Sequence, residues 1–452
     1  MDKFDQYKRL IRLGIAAFEI LLEAVFFAVV WFGIYNERMR NPYENKGNLM
    51  MIGFYIFYLI VFIYLYGGMK YAYYQKGQLI LSQILGTLIA NVVVYIQIIM
   101  VFGMFPFPIV WPMLAVSGAD LLVILAVNHI SDMIFKRLNL FPPRKLLLIC
   151  NLEQKDNLIR KISGRRDLYE ISRCVSAKEP LYRLKAEVEK CDAMMLYGIE
   201  EQKRNMLLKY CYERSIRIYV APEITDVLLR GADKVHSFDT PFLLLRNYGL
   251  SFEQRIFKRI LDIVIAGGLL IVVSPLMLLT ALAICLEDHG PALFKQERVT
   301  INGKKFFIYK FRSMIVDAEK NGAQFSTKND SRITKVGKFI RATRLDELPQ
   351  LLNILKGDMS IVGPRPERQQ YIDEFCQETP EFIYRLKVKA GLTGYAQIYG
   401  KYNTTPLDKL KLDLMYIESY SLLMDIRLMF LTLKIMFTKE STEGVEDGQN
   451  HA

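Results

Sequence analysis

Histidine is scarce in this chain, with four scattered residues at 129, 236, 289 and 451. The six cysteines, at 150, 174, 191, 211, 285 and 376, form no CxxC and no other metal-ligand spacing. A structural zinc site and a disulfide framework are therefore not expected, which suits a reducing cytosol. Also missing are an internal repeat, a low-complexity segment, and any nucleic-acid motif or basic–aromatic platform. The net charge of +12 thus points away from DNA or RNA as a partner and toward an anionic membrane face. No small-residue cleavage site follows the first apolar stretch, which is also too long for a secretory signal peptide.

What the chain has in excess is apolar sequence. Its 452 residues suit two or three domains, and 52% are hydrophobic, concentrated in the first third. Four apolar stretches, at about 13–35, 49–68, 79–103 and 107–131, each approach the ~20 residues that a bilayer span needs. Asp120 reads as the only strong acid deep in these stretches, with a functional and a packed structural role both open. On one face the flanks carry ten basic residues: Lys3, Lys8, Arg9, Arg12, Lys70, Lys76, Lys136, Arg137, Arg144 and Lys145. The other face carries three, Arg38, Arg40 and Lys46. The imbalance predicts a cytoplasmic N-terminus and a cytoplasmic location for everything after residue 131.

A new composition begins at Pro142–Lys145. Short apolar runs, Leu146–Cys150, Ile171–Val175, Ala193–Tyr197 and Ile216–Val220, alternate with helix-compatible stretches at 153–163, 180–190 and 200–214. That alternation predicts a small parallel α/β sheet. The turn after the first run, CNLEQKDN, has no glycine, so a pyrophosphate finds no close backbone approach. A structural or regulatory spacer is expected there rather than a nucleotide site.

A third region opens near Ser251 with a basic amphipathic stretch leading into the apolar run Ile263–Leu286, interrupted midway by Ser274–Pro275. Proline deletes a helix hydrogen bond, and the serine can help satisfy the freed carbonyls. Arg255, Lys258 and Arg259 precede the run, and Lys295 and Arg298 follow it. Basic flanks on both ends favour a re-entrant helix, at about 256–287, over a straight span. A strand is expected over Lys305–Arg312 and an interfacial helix over Leu422–Phe437, and the tail from 438 reads as disordered.

The most informative segment is RATRLDELPQLLNILKGDMSIVGPRP, residues 341–366. Pro349 pins the acidic pair Asp346–Glu347 to the start of a helix. A helix N-terminus favours anions, yet two carboxylates stand there. That suits a divalent cation bridging carboxylate and phosphate, or a carboxylate that itself attacks phosphorus. Arg341, Arg344 and Arg365 add donors matched to phosphate oxygens.

With Ser274–Pro275, KFRSM at 310–314, the acidic pair, VGPRP at 362–366 and GLTGYAQ at 391–397 in this order, residues of about 253–437 resemble the bacterial sugar transferases. These are the monotopic polyprenyl-phosphate phosphoglycosyl transferases. The whole chain is similar to their large form, which initiates exopolysaccharide, capsule or O-antigen units, as undecaprenyl-phosphate glucose or galactose phosphotransferases do. The resemblance implies an integral membrane architecture: four transmembrane helices (1–141), a degenerate Rossmann-like α/β cytoplasmic domain (142–250), and a mixed α/β catalytic domain with the re-entrant helix (251–437). A disordered tail (438–452) ends it.

It also implies the reaction: hexose-1-phosphate moves from a UDP-sugar to undecaprenyl phosphate, releasing UMP. By motif, Asp346 matches the nucleophile that forms an aspartyl–phosphosugar intermediate, and Glu347 the Mg²⁺ ligand. Arg341 and Arg365 match phosphate- and substrate-binding arginines, Gln397 and Asp413 polar residues of the site, and Lys310 and Arg312 the basic positions of KFRSM. Lys401 stands where many members have arginine, keeping the charge but losing bidentate geometry. A homodimer at the cytoplasmic face of the bacterial inner membrane is the implied state. An inert membrane scaffold and a direct glycosyltransferase, which would release UDP, are the competing readings.

Overall fold

A computed structural model of the chain describes residues 7–39, 41–102, 110–151, 155–237, 239–245, 249–316, 330–401 and 404–436. Lys3 and Arg40 of the charge count and the expected tail at 438–452 lie outside them. The chain divides into two compact units, Met1–Ala221 and Pro222–Ala452.

The first unit opens with α1 (Lys8–Val30), prolonged by a π-helical turn (Trp31–Tyr35) and a 3₁₀ turn (Asn36–Arg38), then α2 (Asn45–Tyr66), α3 (Lys76–Phe102) and α4 (Val110–Arg137). They cover the four apolar stretches. α1 packs on α2 and α4, and α3 packs on α2 and α4. Phe27 of α1 stacks on Tyr55 of α2 with ring centroids 4.3 Å apart, in a core that also buries Trp31, Met51, Leu59 and Val94. The sequence reading of Asp120 as the sole deep acid needs correction. Glu19 and Glu23 on α1 are buried as completely as Asp120 on α4, because i, i+4 spacing puts both on the face that packs inward.

A parallel sheet follows: β1 (Arg144–Cys150), α5 (Lys155–Ser163), β2 (Tyr169–Ser176), α6 (Leu181–Val188), β3 (Ala193–Tyr197), α7 (Glu201–Glu213) and β4 (Arg217–Val220). The strand order is β2-β1-β3-β4, with all three pairings parallel. Central β1 has Leu146–Cys150 buried throughout, as a strand covered on both faces requires. In the dinucleotide-binding order the third strand would lie outside β2; here it lies on the other side of β1, as in flavodoxin-like sheets.

The second unit contains α8 (Ile224–Arg230), the hairpin β5 (Asp233–Ser237) and β6 (Thr240–Leu244), α9 (Phe252–Asp288), β7 (Leu293–Val299), β8 (Lys305–Phe311), α10 (Lys335–Ala342) and α11 (Gln350–Lys356). After these come β9 (Ser360–Val362), α12 (Gln369–Glu378), β10 (Gly391–Thr393), α13 (Tyr395–Tyr399), α14 (Pro406–Glu418) and α15 (Leu422–Met436). This unit starts at Pro222 rather than near 251, because Val227 of α8 shares the core of Leu351, Ile354, Leu410 and Leu414. Two glycine motifs meet in that core. A Cβ on Gly391 would sit 2.1 Å from the Gly363 nitrogen, and Gly363 N–H donates to the Thr393 carbonyl at 2.8 Å. Only glycine permits that approach, so VGPRP and GLTGYAQ are held together.

The helix break expected at Ser274–Pro275 is corrected by the structure: α9 runs unbroken through Pro275. Pro275 offers no N–H to the Ile271 carbonyl four residues back, and Ser274 Oγ donates to that oxygen at 2.9 Å. One stripe of α9 faces the rest of its unit along its whole length. Lys258, Asp262, Ala266, Thr280 and Ile284 are buried, with Leu270 and Val273 on the main core and Met277 and Ala281 on a smaller one. The remaining faces are exposed and apolar, Ile271, Val272 and Leu278 among them. Five helices among the described residues are long and apolar enough to cross a membrane, α9 included. With the α/β sheet, they fit a membrane protein carrying a soluble α/β part.

Lys258 and Arg259 do more than flank α9. Lys258 Nζ lies 2.6 Å from Asp425 of α15, and Tyr416 OH donates to the same carboxylate at 2.7 Å. Arg259 donates to the Ile354 and Leu355 carbonyls at 2.6 and 2.7 Å, in the last turn of α11, where helix carbonyls run short of amide partners. Both residues are therefore spent on protein contacts, which weakens their use as topology charges.

Candidate active site

The acidic pair occupies a 3₁₀ turn, Leu345–Glu347, entered through Arg344 in the left-handed region (φ 58°). Pro349 precedes the first residue of α11, so the pair stands one turn ahead of that helix. Its scaffold is α9. Arg259 holds the far end of α11, while Glu287 accepts the Lys335 and Val336 amides at 2.8 and 3.2 Å. A carboxylate at these N–H groups stabilises the start of α10, the helix that carries Arg341.

Glu347 is the electrostatic centre. Lys310 Nζ, from the end of β8, and Arg365 Nη2, from the loop after β9, each stand 3.4 Å from its Oε1. Burial pushes the Glu347 carboxyl up, but Lys310, Arg365 and Arg344 together outweigh burial and hold it at about 2. Asp346 behaves oppositely. Burial and then the Glu347 charge raise its carboxyl above the usual aspartate range, against the pull of Lys310, Arg341 and Arg344. Adjacent carboxyls thus differ in proton affinity because Lys310 and Arg365 both stand within ion-pair distance of Glu347, whereas at Asp346 burial and the Glu347 charge outweigh the surrounding cations.

Burial lowers Lys310, with Glu347 opposing it, and also lowers Arg341. The Arg341 Nε donates to Ser313 Oγ at 2.8 Å. Arg312 pairs instead with Asp288 at the end of α9, and its Nε and Nη1 are buried without a partner. Gln397 donates to the Leu392 carbonyl at 3.2 Å, while its buried Oε1 is unmatched. Asp413 is fully buried, 2.8 Å from Arg385 Nη2, and burial pushes it up to about 6. It reaches the site only through Arg385, whose Nη2 donates to the Arg365 carbonyl at 3.0 Å.

Sequence reasoning missed Arg385, Glu367 and Arg298. Glu367 lies 3.8 Å from Arg385 and 3.9 Å from Arg298, and these charges form a layer beneath the Arg365 loop. Their signal was present: Arg385 stands six residues before GLTGYAQ and Glu367 directly follows VGPRP. What the sequence withheld was that the two motifs touch.

Comparison with known proteins matches residues 253–439 to the family described as bacterial sugar transferase. A UDP-N-acetylgalactosamine-undecaprenyl-phosphate N-acetylgalactosaminephosphotransferase of Aeromonas hydrophila is 45% identical over 184 residues, 40% of this chain and 44% of that protein. The UDP-glucose:undecaprenyl-phosphate glucose-1-phosphate transferase of Escherichia coli K12 is 41% identical over 210 residues, 45% of this chain and 44% of that protein. The matches thus cover less than half of these two relatives. A protein of the latter name in Caulobacter vibrioides is 40% identical over 189 residues, 41% of this chain but 71% of its own length. Sharing 71% of a relative's length at 40% identity, the chain belongs to the bacterial sugar transferase family.

Proposed function

We propose that the protein transfers a hexose-1-phosphate from a UDP-sugar to undecaprenyl phosphate at the cytoplasmic face of the bacterial inner membrane, starting a surface polysaccharide. The observation carrying this reading is the split acidic pair: Glu347 fixed as an anion between Lys310 and Arg365, and Asp346 beside it without such a fixed partner. In the first step an Asp346 carboxylate oxygen attacks the β-phosphorus. The bond from that phosphorus to the UMP oxygen breaks, and UMP leaves with the electron pair. In the second step a phosphate oxygen of undecaprenyl phosphate attacks the same phosphorus, and the bond to Asp346 breaks, restoring the carboxylate. Arg365 and Arg341 orient the diphosphate and offset charge developing on its oxygens. A soluble donor and a lipid acceptor thereby use one site in turn.

Mg²⁺ fits this donor set. It uses one or two carboxylates and takes its other ligands from phosphates and water. Glu347 would provide the carboxylate, and no cluster of three or more His, Cys, Asp and Glu able to hold a metal occurs among the described residues. When bound, the ion would neutralise phosphate charge next to Glu347.

α9 supports a re-entrant placement. Both of its ends and the stripe between them rest on one unit, while its apolar faces remain for lipid. A span leaving by the opposite leaflet would put the Arg259 contact with α11 and the Glu287 contact with α10 on opposite faces of the membrane. The testing experiment is UMP release from a panel of UDP-sugars with undecaprenyl phosphate and Mg²⁺. UMP from one donor, abolished by Asp346→Asn, is the expected result; UDP as product would overturn the reading.

A further inference from the structure

The four-helix part of the first unit contains three carboxyl side chains that the transferase chemistry does not use. Glu19, Glu23 and Asp120 are each at most 1% exposed, and the buried polar residues of α1–α4 include no lysine, arginine or histidine. Two of the three are partly satisfied. Glu19 accepts from Tyr71 OH and from Gln83 Nε2 at 2.8 Å, and Asn128 in turn donates to Gln83 Oε1 at 2.6 Å. Asp120 Oδ2 accepts from Tyr55 OH at 3.1 Å and Asn91 Nδ2 at 2.9 Å. Between these groups the network is open. Both oxygens of Glu23, the second oxygens of Glu19 and Asp120, and Thr87 Oγ1 are buried with no partner. Thr87, 2% exposed, stands one turn from both Gln83 and Asn91 on the same face of α3, so its unmatched hydroxyl lies on the face between the side chains that hold Glu19 and Asp120.

An unpaired carboxylate in a bilayer core is costly, and carboxyls kept there are paired or neutral. The titratable groups that face Glu23 are Glu19 on α1, Tyr55 on α2, Tyr71 in the α2–α3 turn and Asp120 on α4, and the buried polar residues of α3 and α4 beside them are uncharged apart from Asp120. None supplies a positive charge. Lys70 stands beyond Tyr71 against Tyr73 and Tyr74, and Lys76 lies 3.7 Å from the half-exposed Asp132, both at the helix ends.

We infer that α1–α4 enclose an intramembrane proton-binding site, centred on the Glu23 carboxyl and shared with Glu19 and Asp120. A proton taken from solvent adds to a Glu23 oxygen, leaving a neutral acid whose O–H points to Thr87, Glu19 or Asp120. The polar string runs from Tyr71 in the α2–α3 turn to Asp120 near mid-helix, so exchange with solvent enters from the Tyr71 end. Loss of the proton places an unsolvated anion among two further acids and loosens the bundle.

The test uses the full chain in lipid nanodiscs, with infrared pH-difference spectra and thermal unfolding from about pH 6 to about pH 9. The wild type is expected to show a protonated-carboxyl band at neutral pH and to lose thermal stability as the pH rises. Glu23→Gln, which keeps size and neutrality, is expected to lose that band and flatten the stability profile, whereas Glu213→Gln, at an exposed carboxyl of α7, changes neither. A band or profile insensitive to Glu23→Gln would overturn the proposal. So would stabilisation of the wild type alone by sodium, potassium or calcium chloride at the alkaline end, which would make the site one for an inorganic cation.

Discussion

Arg385 Nη2 donates to the main-chain oxygen of Arg365 at 3.0 Å while lying 2.8 Å from the Asp413 carboxylate. The guanidinium therefore holds the loop of a proposed phosphate-binding arginine without itself reaching the surface. Arg385→Lys keeps the charge but loses the planar guanidinium that directs Nη2 at both groups while Nη1 lies 3.8 Å from Glu367. Its kcat/KM for UMP release should fall about 10-fold or more, and adding it to Arg365→Ala should cost little further, because it acts through Arg365. Full additivity in that double variant would contradict the assignment.

Asp346→Asn should abolish UMP release, by roughly 10⁴-fold or more, as removal of a covalent nucleophile does, with the fold and donor binding retained. Single-turnover assays with labelled UDP-sugar followed by acid quench check this. Labelled phosphosugar should remain on wild-type protein and be absent from the variant.

The opposite proton affinities of the pair set an acid limit. Asp346 works deprotonated and its carboxyl is raised, so kcat/KM should fall on acidification at a pH above the ordinary aspartate range. Glu347→Gln removes the neighbouring negative charge, and the limb of its residual activity should move to lower pH. The stabilisation from Glu347 has the other sign. With its folded value depressed to about 2, it is present above the unfolded glutamate value and lost as pH falls toward 2. A limb unmoved by Glu347→Gln would contradict the coupling.

Removing Lys258 strands a buried carboxylate. Lys258→Met should destabilise the second unit by about 3–5 kcal/mol, whereas Lys258→Met with Asp425→Leu should recover most of it. Thermal unfolding in detergent, followed for both variants, gives the comparison.

Topology has its own readout. A cysteine replacing exposed His289, in a background lacking accessible cysteines, should react with an impermeant maleimide only in inside-out vesicles. Labelling of intact spheroplasts would mean that α9 crosses the membrane and would remove the re-entrant reading.

Elements with a strong period were legible from residues alone. The four apolar stretches became α1–α4, and the four short runs became β1–β4, because burying an entire helix or strand leaves a one-dimensional apolar signature. The grouping of Glu347 with Lys310 and Arg365 joins segments that the charge pattern of the sequence singles out. Contacts between distant segments leave no such local trace. Lys258 read as a membrane flank and proved to be the buried partner of Asp425. Asp413 read as a site residue and lies behind Arg385. Glu19 and Glu23 passed unremarked on α1 until Tyr71, Gln83 and Asp120 were brought around them. By itself the sequence determined the strongly periodic elements and the family, and marked Asp346–Glu347 as the candidate pair. Which charges are paired, and which buried acids are left without a partner, depended on side chains separated by tens to hundreds of residues, and only tertiary packing decided it.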